Sequence, residues 1–75
     1  MMSQLEFNVK AKFVYTKLLP LLQEASRDNV ESVSYEGRED EETVVINFEN
    51  GAHISVDVTA DSLLSLAKDV LEAVS

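Results

Sequence analysis

The chain is 75 residues long, enough for one hydrophobic core and no second domain, so residues 1–75 read as a single domain. Its 45% apolar content is sufficient to offset chain entropy, and the lack of any cysteine excludes a disulfide scaffold, thiolate zinc sites and cysteine nucleophiles. Acidic residues number 14 against 6 basic, a formal net charge of -8 whose field repels phosphate backbones and anionic headgroups; direct nucleic-acid or membrane binding is not expected.

The opening MMSQLEFNVKAKF has no uninterrupted apolar core behind a basic start, and no stretch approaches about 18 consecutive apolar residues. Neither a secretory signal nor a membrane span is expected, and the cytoplasm is the default location. From Leu5 to Phe13 apolar and polar residues alternate, which predicts a first strand with one face on a core. A second periodicity competes, because Phe7, Ala11, Val14, Leu18, Leu21 and Ala25 also form a helical stripe. Pro20 argues against one long helix, since it would remove the bond to Thr16 and clash with its carbonyl. A helix capped by Thr16 avoids most of that cost, buries Leu18, Leu19, Leu21, Leu22 and Ala25, and ends near Arg27.

Asp28-Asn29 breaks the pattern, and Val30 to Tyr35 reads as a short strand with Val33 and Tyr35 on one face. Glu36 to Glu42 is charged and contains Gly37, so a solvated hairpin loop is expected. Two further strands, Thr43 to Phe48 and Ala52 to Val58, flank Glu49-Asn50-Gly51. A two-residue Asn-Gly turn would set Phe48 against His53 and Ile46 against Ser55, placing polar groups opposite the apolar face. A three-residue loop instead pairs Phe48 with Ala52, Ile46 with Ile54 and Val44 with Val56, with Gly51 as the left-handed residue of a bulged turn. The last element is a helix capped by Thr59, with Asp61 in its first turn and Val58 stapled to Leu63. Leu63, Leu66, Ala67, Val70, Leu71 and Val74 form its buried stripe.

These elements predict a two-layer α+β domain, a mainly antiparallel sheet with both helices on one face, in the order β-α-β-β-β-α. The alternative is α-β-β-β-α, should residues 5–26 be one kinked helix.

The chemistry-bearing residues are few. His53 is expected on the outer face beside Asn47, with Ser55 and Asp57 on the same strand face but spaced roughly 6–7 Å apart, too far for a triad. Glu39-Asp40-Glu41-Glu42 lacks the ligand spacing of a calcium loop, and Gly37 and Gly51 cannot build a phosphate loop. Lys10 and Lys12 read as solvated partners of nearby acids. No catalytic residue, cofactor or metal is therefore assigned. Val14, Leu19, Val45 and Leu64 fall outside the assigned faces and form a candidate interaction surface. Glu36, Glu39, Asp40, Glu41, Glu42, Glu49 and Asp57 form a candidate acidic patch. The expected role is a small non-enzymatic interaction module or accessory subunit, binding a protein partner or itself as a homodimer. The alternatives are an acidic mimic of nucleic acid that occupies a nucleic-acid-binding protein, and, behind it, a small-ligand carrier.

Overall fold

The computed structural model describes residues 3–38 and 40–75. Helix α1 (Gln4–Phe13) passes through a π turn (Val14–Leu18) into α2 (Leu19–Ala25), so these three segments form one continuous N-terminal helix. The strand expected from Leu5 to Phe13 is therefore helical. Of the two periodicities in that segment the helical one prevails, because it sets Phe7, Ala11, Val14 and Leu18 against a common core. Ser3, not Thr16, is the cap: its hydroxyl accepts from the Glu6 N–H at 3.1 Å, while the Thr16 hydroxyl donates to the Lys12 carbonyl at 2.6 Å.

The π turn explains how this helix tolerates Pro20. The Leu19 N–H reaches back five residues to the Val14 carbonyl, and the widened turn relieves the clash a proline ring makes with the carbonyl four residues earlier. It also keeps the buried side in phase. Val14, Leu18 and Leu22 are each four residues apart, a spacing that in a regular helix would carry the stripe about 80° beyond two full turns. All three are fully buried.

The sheet is an antiparallel meander, β1 (Val30–Gly37), β2 (Glu42–Phe48) and β3 (His53–Asp57), in spatial order β1-β2-β3. The element order is thus α-β-β-β-α, the alternative stated above, in the two-layer α+β class expected. Between Val30 and Ser32 the register shifts by a bulge at Glu31, which lets Val30 and Val33, three apart in sequence, both face the core. The β2–β3 hairpin has the three-residue register read from the sequence, with Ile46 opposite Ile54, Val44 opposite Val56 and Asn47 opposite His53. Gly51 has φ +90°, and the Phe48 N–H donates to the Ala52 carbonyl at 2.9 Å. Strand ends depart from expectation at the β1–β2 hairpin, where both Glu36 and Glu42 belong to strands and not to the loop.

Helix α3 (Leu63–Val74) starts later than expected. Ser62 caps it by accepting from the Ser65 N–H at 3.2 Å. Thr59 is occupied by the sheet instead, accepting from the Glu42 N–H at 3.0 Å and donating to Asp57 Oδ1 at 2.6 Å. Leu66, Val70 and Val74 of α3 and Val14, Leu18 and Leu22 of the N-terminal helix bury against Val33, Tyr35, Val44 and Ile46, so both helices cover the same sheet face. Among the described residues no helix is long and apolar enough to cross a membrane.

Candidate functional site

The densest polar chemistry lies where α1, β1, β2 and the β3–α3 connection meet. Lys10 and Glu42 are both buried, and Lys10 Nζ donates to Glu42 Oε1 at 2.6 Å. The Tyr35 hydroxyl donates to the same oxygen at 2.6 Å, and the Ala60 N–H donates to Oε2 at 2.9 Å. The backbone of Glu42 is engaged as well, its carbonyl accepting from the Val58 N–H at 2.9 Å. Ala60 takes φ +63°, a left-handed conformation uncommon for alanine, in the turn that sends its N–H to the carboxylate. Phe7 covers one side, its ring 5.3 Å from that of Tyr35 and tilted by 43°.

These contacts decide what Glu42 can do. Burial pushes its carboxyl upward, but the bonds from Lys10, Tyr35 and Ala60 outweigh burial and hold it below the ordinary range. A carboxylate with donors on both oxygens is a poor proton acceptor, so this geometry suits a latch between helix and sheet better than a general base. Burial, followed by the bond and charge of Glu42, raises the Tyr35 hydroxyl well above its usual value and keeps it a donor.

Beside the latch stands an electrostatic conflict. The neighbouring Asp69 carboxyl, together with burial, raises the Asp61 carboxyl above the ordinary Asp range. Its Oδ2 is buried with no donor among the described residues. A like charge brought close favours the protonated form of Asp61.

Lys10 and Glu42, which read from the sequence as solvated, are buried and paired in the fold. The signals were nonetheless present: Glu42 has the same strand parity as Val44, Ile46 and Phe48, and Lys10 lies on the Phe7–Val14 side of a helix. Of the candidate interaction surface, Val14 is fully buried in the core and is withdrawn, Leu19 and Val45 are half-buried, and Leu64 is 80% exposed. Of the candidate acidic patch, Glu42 turns inward and is withdrawn. Glu36, Asp40, Glu41, Glu49 and Asp57 are exposed, and Glu39 lies outside the described residues. The Thr59 hydroxyl and N–H hold the exposed Asp57 carboxyl below its usual range.

His53 is exposed on the outer face opposite Asn47, in line with Ser55 and Asp57 along β3. Two shallow polar depressions lie on that face, one of about 220 Å³ lined by Glu36, Arg38, Glu41 and Thr43, the other of about 250 Å³ lined by Glu41, Thr43, Ser55 and Asp57. Among the described residues, no group of three or more His, Asp and Glu side chains is arranged to hold a metal ion. Compared with family models, curated proteins and solved structures, the chain matches none.

Proposed function

We propose that this chain is a small acidic interaction module of the cytoplasm, acting by binding a protein, itself included, and not by catalysis. The observation that carries the reading is the apolar surface left on the helices: Leu5 is 72% and Leu64 80% exposed, and Val9, Tyr15 and Leu21 are exposed with them. A domain this small gains stability from covering such side chains. In the buried cluster both oxygens of Glu42 accept hydrogen bonds, from Lys10, Tyr35 and Ala60, which suits a structural role. The net charge of -8 disfavours nucleic acid and anionic membranes as direct partners.

The test is the mass of the protein in solution from about 1 μM to about 1 mM, at low and high salt. Association that grows with concentration and persists in high salt is the expected result. A monomer throughout would overturn self-association. Capture of a basic nucleic-acid-binding protein that is released by salt would replace this reading with the acidic mimic, using Glu36, Asp40 and Glu41 at the exposed turn.

A further inference from the structure

The sheet has two edges, and they are finished differently. On β1 the Tyr35 N–H, which points away from β2, is capped by the Tyr15 hydroxyl at 3.1 Å. On β3, Ile54 and Val56 pair with β2, so the backbone groups of His53, Ser55 and Asp57 point outward, and no described residue bonds to them. Within His53–Asp57 this edge has no proline and no bulge, two of the usual devices that discourage pairing. Burial falls in the same direction. Val44 and Ile46 of β2 are fully buried, whereas Ile54 and Val56, on the same face, are only half-buried.

We infer that the β3 edge binds a second copy of this chain, antiparallel about a two-fold axis through Ser55, to form one continuous six-stranded sheet. The inference rests on the self-association read above and places it at the sheet edge, apart from the exposed Leu5, Val9, Tyr15 and Leu21 of the N-terminal helix. The sequence His53-Ile54-Ser55-Val56-Asp57 is complementary to its own reverse. Pairing centred on Ser55 sets His53 opposite Asp57 of the second copy, twice by symmetry, and Ile54 opposite Val56 on the core face. Asp57 is ready for that contact, since Thr59 occupies its Oδ1 and no described residue bonds to Oδ2. Other registers of the same edge bring fewer residues together.

The helix layer is compatible with this arrangement. Helix α3 packs over β3 while the N-terminal helix packs over β1. Leu64 on α3 is 80% exposed and open to contact with the helix layer of the second copy.

The test is sedimentation equilibrium on the full chain, its Ser55→Pro variant and its His53→Lys variant. Proline at 55 removes an N–H that faces solvent in the monomer and leaves every β2–β3 bond in place. The dimer should weaken at least roughly tenfold in Ser55→Pro and tighten roughly two- to fivefold in His53→Lys, which sets a full cation against Asp57. Should Ser55→Pro fail to fold, as judged by circular dichroism, His53→Asp replaces it and should weaken the dimer roughly fivefold by opposing two carboxylates. A variant dimer as tight as wild type overturns the edge pairing while self-association stands. A wild-type chain that stays monomeric at about 1 mM overturns both.

Discussion

Cutting the link between Lys10 and Glu42 tests whether the latch holds the helix to the sheet. Their side chains are 11% and 8% exposed and their charged atoms 2.6 Å apart, so neither charge can turn to water when its partner is removed. Lys10→Met leaves Glu42 with the Tyr35 and Ala60 donors but no counter-charge, at a cost of about 3 kcal/mol. Glu42→Leu costs more, about 5 kcal/mol, because it leaves the ammonium without a counter-charge and deprives both the Tyr35 hydroxyl and the Ala60 N–H of their acceptor. The double variant replaces the pair with apolar groups of similar size and should fall at least about 2 kcal/mol below the sum of the singles. The assay is urea unfolding at neutral pH followed by circular dichroism. A domain of this length holds roughly 4–11 kcal/mol in all, so the measurements are made in a stabilising osmolyte. If the double variant costs the sum of the singles within about 0.5 kcal/mol, the pair is no latch and the burial argument fails.

Stability should depend on pH in two opposed limbs. Asp61, raised in the folded state, weakens the fold at neutral pH and ceases to do so as pH falls through its raised value. Glu42, depressed, stabilises above its unfolded value and loses that contribution as pH falls through its folded one. The urea midpoint should therefore rise on mild acidification and then fall, and Asp61→Asn should abolish the rise; a rise that survives the substitution would exclude Asp61 as its source. Gly51→Ala should cost about 1 kcal/mol in the same assay, wholly through backbone conformation, because the added Cβ meets nothing within 4 Å. Ala60→Gly should stabilise by about 0.5 kcal/mol, since φ +63° suits glycine and the N–H to Glu42 is kept; a loss of stability would show that the left-handed turn carries no strain.

Where local rules acted alone, the fold was legible in the sequence. The β2–β3 register followed from matching Val44, Ile46 and Phe48 to apolar partners, and the α3 stripe from its spacing. The reading failed where one residue satisfied two rules. Leu5 to Phe13 fits both periods, and Pro20 excludes a long helix only if every turn is regular, which the π turn is not. Thr59 and Ser62 are both good caps, and the choice between them depended on Glu42, a residue far away in sequence whose backbone N–H occupies Thr59. The latch itself joins residues 32 positions apart, so no local pattern names the partners. Glu42 adjoins the charged turn in sequence, but its strand parity with Val44, Ile46 and Phe48 places it inside.

The Tyr15 hydroxyl on the β1 edge also bears on where an assembly would stop. A sheet with two open edges can recruit copies at both ends and elongate into a fibre. If copies add at β3 as inferred above, the bond to Tyr35 leaves one fewer outward N–H on the β1 edge for a further copy. One phenolic oxygen, contributed from the π turn, thus covers part of the second edge, and Tyr15→Phe would expose it while leaving the aromatic ring in place.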